Sequence, residues 1–281
     1  MPLRLSVHTP PTVEPIHLTD AKLHLRLATT AADAVLYTDE DPIISSHISA
    51  ARMVAENETW KALVLRKYDL VIDEWPCCEI ALPMPPLRAV DSITYTTTDG
   101  VEHTFAATEY DVDTTTHPGR VVLGYDKEWP TDELTPTNPI RIRYRAGYVV
   151  PFTVNYTTDL ITAVNHPFAD GDVVRVSVTG GSLPVGLYAN TDYYARDVSG
   201  NTLKLSATSG GTAIDITSAG TGQFFFGEIP PTTVIGMKLV LSDLYEERGD
   251  TIFVRGGQVS VATLPRAASH HFSMDSVRVP W

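Results

Sequence analysis

Apolar residues recur along this chain in two rhythms, and each change of rhythm marks a boundary. From Val234 the spacing is helical: Val234, Met237, Leu241, Leu244 and Tyr245 fall at i, i+3, i+7, i+10 and i+11, one stripe of a helix. Pro231 suits the first turn, Thr232 or Thr233 can cap it, and Gly249 stands where a left-handed C-cap belongs. The segment before it is Gly/Thr/Ser-rich and the other helical patterns precede Trp60, so this helix is expected to close an N-terminal helical unit across a β-rich middle.

At the start, Leu3, Leu5 and Val7 alternate with Arg4 and Ser6 as a short edge strand, and Pro10 to Pro15 is extended. A short helix follows, with Thr19 as N-cap, Asp20 in its first turn, Leu18 and Leu23 as a hydrophobic staple, and an end near Leu27 or Ala28. Thr29 to Glu40 reads as a loop whose acidic end, Asp39-Glu40-Asp41, is solvated charge around a helix cap. Asp41 caps a long helix that runs to about Trp60 with Pro42 at N1. Its buried face is Ile44, Ile48, Ala51 and Ala55, with Arg52, Glu56 and Glu58 outward.

From Leu65 the period becomes two. Tyr68, Leu70 and Ile72 alternate with polar neighbours, and Val90, Ile93 and Tyr95 rise to a turn at Asp99-Gly100, a hairpin signal. Further strands are predicted at Tyr110–Val112, Gly119–Leu123 and Ile140–Tyr144, making an antiparallel β unit. From Phe152 to Gly227, strand-length segments recur about every 8–12 residues, separated by Gly, Asn and Asp turns, which indicates a small inserted β-barrel or sandwich. The expected class is therefore α+β: a small helical bundle with an antiparallel β unit, plus an inserted all-β module. The expected division is 1–151 and 228–263 for the helices and β unit, 152–227 for the module, and 264–281 for a C-terminal tail with an apolar end.

At 281 residues the chain is long enough for one large domain or two moderate ones. No apolar run reaches the roughly 18 residues of a membrane-spanning helix, and the N-terminus lacks the apolar core of a secretion signal, so no membrane association is expected. The formal net charge of −13 argues against phosphate-clamping of nucleic acid, which needs clustered Lys and Arg. Cys77 and Cys78 are adjacent, and a bridge between neighbours strains the backbone, so both read as free thiols.

Candidate chemistry is sparse. The chain has no GxGxxG, Walker loop, GxSxG, HExxH or CxxC motif, and no cofactor is expected. His166 with Asp170 and Asp172 is the most metal-like cluster, but Pro-x-x-Asp-Gly-Asp is also what a tight turn requires, and the turn is the preferred reading. His270-His271 point apart on any regular element, so no metal site is expected. No residue pair demands an enzyme.

Several stretches taken in order resemble a known family. They are Pro10-Pro11-x-x-Glu14-Pro15-Ile16-x-Leu18-x-Asp20-Ala21-Lys22, Asp41-x-Ile43-Ile44-x-x-x-Ile48-x-Ala50-Ala51-Arg52, and Leu82-Pro83-x-Pro85-Pro86-Leu87 with Asp99-Gly100. Tyr110-x-Val112-Asp113, Gly119-Arg120, Trp129-Pro130, Ala146-Gly147-Tyr148 and Leu244-Tyr245-Glu246-x-Arg248-Gly249 complete the set. The order resembles tailed-phage head–tail connector (adaptor) proteins of the phiE125 gp8 and HK97 gp6-like family over roughly 1–150 and 228–250, departing from it in the insert. The resemblance implies a structural, non-enzymatic virion protein: a homo-oligomeric ring of twelve copies in the head–tail neck, assembled in the host cytoplasm. Its implied partners are the portal protein, a tail completion or stopper protein, and double-stranded DNA that passes through the channel without specific binding. Acidic subunits around a pore would repel phosphate. The tail is then expected to dock into the portal through Val277, Arg278, Val279, Pro280 and Trp281. The alternative from the residues is a phage-borne carbohydrate- or host-surface-binding protein acting through the β module.

Overall fold

The alternation that begins after Leu65 builds the first sheet. β1 (Arg4–Thr9) lies at its edge and pairs antiparallel with β2 (Arg66–Ile72), in which Tyr68, Leu70 and Ile72 are buried and Lys67, Asp69 and Val71 only partly covered. β3 (Glu79–Leu82), β4 (Leu87–Thr96), β5 (Glu102–Phe105), β6 (Tyr110–Asp113), β7 (Gly119–Leu123) and β8 (Ile140–Ala146) complete an all-β unit. Its strands form a five-stranded sheet, β1-β2-β8-β4-β5, and a three-stranded sheet, β3-β7-β6, antiparallel throughout. One apolar core joins them, with Ile80, Leu82 and Val121 of the small sheet beside Leu70, Ile93, Ile142 and Tyr144 of the large one. The Asp99-Gly100 turn links β4 to β5 as the sequence predicts: Gly100 has φ +80°, and the Asp99 carboxylate accepts the Val101 N–H.

The computed structural model describes residues 4–246, 252–253, 259–260 and 264–276. It forms two compact units. The β unit comprises the described part of Met1–Thr12 with Trp60–Tyr148, and the other comprises Val13–Thr59 with Val149–Ser276. The helices before Trp60 thus share a unit with the strands after Val149. Gly147 follows β8 at φ +153°, where a Cβ would stand 2.5 Å from the Leu65 Cα, so only glycine fits the Ala-Gly-Tyr stretch.

The second unit opens with α1 (Leu18–His24), α2 (Ala31–Leu36) and α3 (Asp41–Thr59). Its strands are β9 (Val150–Asn155), β10 (Leu160–Thr162), β11 (Val173–Val174), β12 (Val176–Ser182), β13 (Tyr193–Ser199), β14 (Thr202–Ser206) and β15 (Thr221–Phe226). They make one seven-stranded antiparallel sheet, β11-β13-β14-β10-β9-β15-β12, over a core that includes Phe152, Ile161, Leu203, Leu205 and Phe226. α4 (Pro231–Glu246) follows, then the short pair β16 (Ile252–Phe253) and β17 (Val259–Ser260), and α5 (Arg266–Asp275). α4 packs on α3 and α5 and touches α1, so the late helix does close onto the helices before Trp60. α1 also meets β12: the Gly180 N–H donates to Asp20 Oδ2 at 2.9 Å, and a Cβ on Gly180 (φ +71°) would collide with the His17 ring.

Several expectations change. α1 is capped by His17, whose Nδ1 accepts the Thr19 N–H, because Thr19 is drawn into the helix and buried; it ends at His24, and Arg26 just beyond takes φ +59°. The loop expected from Thr29 to Glu40 contains α2, nucleated by a capping box in which Thr30 and Asp33 satisfy each other's backbone N–H. Arg52 and Glu56, expected outward, are buried against each other and Glu14. The buried face of α4 is Thr233, Gly236, Met237, Val240 and Leu241. It is rotated from the expected stripe because helices cover α4 from more than one side. Residues 264–281, expected as a low-order tail, contain α5, whose Ala268 and Phe272 are buried. Gly249 lies outside the described residues.

Candidate functional site

The cluster most suggestive of chemistry is used up by its own turn. Asp172 Oδ2 accepts the Ala169 N–H at 2.8 Å, Asp170 Oδ1 accepts the Val198 N–H at 2.9 Å, and His166 Nδ1 accepts the Phe168 N–H at 3.1 Å. The Asp172 and His166 bonds are the local side-chain-to-backbone bonds of a turn, and the Asp170 bond ties that turn to β13. Among the described residues no group of three His, Cys, Asp or Glu could hold a metal ion, and no helix is long and apolar enough to cross a membrane. Cys77 and Cys78 are exposed free thiols.

What the chain does build with care is a set of polar ties among its helices. Arg52 Nε meets Glu14 Oε2 at 2.7 Å and Arg52 Nη1 meets Glu56 Oε2 at 2.8 Å, while the Ser49 hydroxyl donates to Glu14. Burial opposes the Arg52 charge, but the two carboxylates outweigh it and hold the guanidinium above its ordinary range. Lys22, buried on α1, donates Nζ to the carbonyls of Ala34 and Tyr37 and pairs with Asp41 at 2.5 Å. One ammonium thereby serves the C-terminal carbonyls of α2, where helix backbone is unsatisfied, and the side-chain carboxylate of Asp41 in the first turn of α3. His24 Nε2 lies 3.0 Å from both Lys238 O and Ser242 Oγ; a carbonyl can only accept, so Nε2 carries the proton there. At the other end of α4, the Thr232 and Thr233 hydroxyls donate to Asp275 of α5. The i, i+4 spacing of Arg52 and Glu56 was the sequence signal for such a pair, but nothing local signalled their burial or the buried Lys22.

Two surfaces stand out by charge and polarity, one on each unit. On the β unit, β8 reads Ile140-Arg141-Ile142-Arg143-Tyr144-Arg145-Ala146: its apolar residues are buried and its arginines share the opposite face. Arg143 grips Asp69 through Nε and Nη2 at 2.8 and 2.9 Å, and Arg145 and Lys67 both pair with Asp91. The Arg143 hydrogen bonds hold the Asp69 carboxyl below the usual carboxylate range. On the second unit, α2 covers only Ala34 and leaves Val35 and Leu36 at 68% and 82% exposure. Val277, Arg278, Val279, Pro280 and Trp281, the expected docking residues, lie outside the described residues.

No family model matches the chain, and no curated protein does either. Solved structures do. The chain is similar to one from the virion of a native gene transfer agent (GTA) particle, at 18% identity and TM-score 0.54 over 98% of this chain and 97% of that one. It is similar to another from the neck of an empty GTA particle computed with C6 symmetry, at 18% identity and TM-score 0.54 over 100% and 98%. A third, from the neck of a native GTA particle computed with C12 symmetry, matches at 17% identity and TM-score 0.50 over 100% and 98%. At these identities the likeness establishes a shared fold, and it runs through the strands between 152 and 227 as well as the helices and the β unit.

Proposed function

We propose that this chain is a structural component of a virion neck: a ring of twelve copies that joins a portal protein to the tail and lines the passage for DNA. The observation that carries this reading is the end-to-end likeness to chains of GTA virions and necks, one of which was computed with C12 symmetry. The chain acts mechanically, without a cofactor or a catalytic step. Its helices, tied by Arg52, Lys22 and His24, form a stiff body, and a closed ring follows when the contact between neighbours repeats by a rotation that closes. With a net charge of −13 on every copy, the ring repels phosphate and lets DNA pass unheld. The strands from 152 to 227 serve as the module that meets neighbouring capsid or neck proteins. Val277–Trp281 supply the portal contact and a tail completion protein closes the other side. Averaged electron micrographs of purified particles, labelled at this chain, test the reading. Rings of twelve at the head–tail junction are expected, and one copy per particle would end it.

A further inference from the structure

Leu36 is a leucine in water, and it is held there rigidly. α2 is fixed at its start by the Thr30–Asp33 capping box and at its end by the Lys22 ammonium on Ala34 O and Tyr37 O, so its exposed Val35 and Leu36 belong to an ordered knob. The knob has an acidic surround: between Arg26 and Arg52 the sequence has no Lys or Arg and carries Asp33, Asp39, Glu40 and Asp41. Lys22 pairs with Asp41 and Glu40 takes the Tyr245 hydroxyl; Asp33, whose charge is held by neutral donors (the Thr29 hydroxyl and Thr30 N–H), and Asp39 supply the acidic rim.

The β unit presents the opposite. From Leu134 to Thr158 the sequence has no acidic residue and carries Arg141, Arg143 and Arg145. On the outward face of the sheet these, Lys67 and Arg4 (across from Val71 on β1) face the carboxylates of Asp69, Asp91 and Glu102, so among these residues positive charge is in excess. Val71 faces outward directly across from Arg141 in register and, with the methylene stems of the arginines, offers apolar area beside the charges.

We propose that α2 of one copy seats on this basic sheet face of the next copy, an inference that rests on the ring reading above. A closed ring requires two different, complementary patches per copy, which an acid-rimmed apolar knob and a basic face supply. Knob-to-knob pairing would set Asp33 and Asp39 against their own copies, so a twofold dimer through α2 is disfavoured.

The test uses the full chain, with self-association read by sedimentation velocity and ring images, and folding by thermal unfolding. Leu36→Asp is expected to weaken assembly by about 30-fold or more with an unchanged unfolding midpoint, since Leu36 is in water within a single copy. Asp39→Arg and Arg141→Glu are each expected to weaken it about tenfold, and the double variant to recover most of that loss, as residues in direct contact do. Wild-type rings from the Leu36→Asp chain, or additive losses in the double variant, would overturn the docking and leave the ring reading standing. A wild-type chain that stays monomeric at millimolar concentration and occurs singly in particles would instead end the ring reading.

Discussion

Arg52 shows at the scale of one residue how this protein holds itself together. Its guanidinium is buried between Glu14 and Glu56, so Arg52→Ala strands two carboxylates in a covered site, and a loss of about 3–5 kcal/mol is expected. Urea unfolding measures it; a loss below about 1 kcal/mol would mean that water reaches both carboxylates once the arginine is gone. Ile44, Ile48, Ala51 and Ala55 could be read from spacing alone, because apolar residues at helical period have one place to go. Arg52 and Glu56 could not, since the partner that lets them be buried sits 38 residues away in sequence. Two titrating residues give the sign of the pH dependence. Burial pushes His24 below its ordinary value near 6.5, so the unfolded chain binds its proton more readily and stability is lost as pH falls below that value. The bonds from Arg143 depress Asp69, whose contribution is present above the ordinary carboxylate value near 3.8 and lost as pH falls through its lower folded value. Thermal midpoints should therefore fall from pH 7 to 5 in the wild type and less steeply in His24→Gln. A wild-type midpoint that rises relative to His24→Gln over that range would contradict the assignment.

Among the elements, α5 departs furthest from its sequence pattern. It has no side-chain cap and carries Ser and two His, so nothing local marks it as a packed helix, and its stability comes from contacts with α3 and α4. Phe272 lies where a Cβ on Gly236 would meet it at 2.5 Å, so the glycine in α4 makes room for the ring. Gly236→Ala would gain up to about 1 kcal/mol of helix propensity at an open site. Here the overpacking costs about 1–3 kcal/mol, and a net loss of stability is expected. Phe272→Ala should cost about 3–5 kcal/mol and expose the α5 backbone to protease. If Gly236→Ala raised the unfolding midpoint, the packing of α5 on α4 would not be as described. α2 was equally hard to read: Ala31 to Leu36 has no amphipathic stripe to signal a helix, since five of its six residues are exposed. The hairpin at Asp99-Gly100 and the strand at Ile140–Tyr144 were plain, because a turn that needs positive φ and a strand with one buried face leave a local imprint.

For the whole molecule, the place of α5 decides how the proposed portal contact must be tested. Removing residues 264–281 would take away Ala268, Phe272 and Asp275 together, and with them the apolar cover of Gly236 and the carboxylate that receives the Thr232 and Thr233 hydroxyls. Lost portal binding by that truncation would report a damaged helical unit as readily as a missing contact. A chain ending at Ser276 keeps all of α5 and removes only Val277, Arg278, Val279, Pro280 and Trp281. If those five residues are the portal contact, the shorter chain should unfold within about 0.5 kcal/mol of the full one, the range of substitutions outside a core. Its binding to purified portal rings should weaken at least about tenfold, because an apolar anchor such as Trp carries a disproportionate share of an interface. Trp281→Ala alone should give a large part of that loss. Portal binding by the Ser276-terminated chain at full strength would move the contact elsewhere, to surfaces such as those of α2 or the strands between 152 and 227, and leave the ring itself untouched.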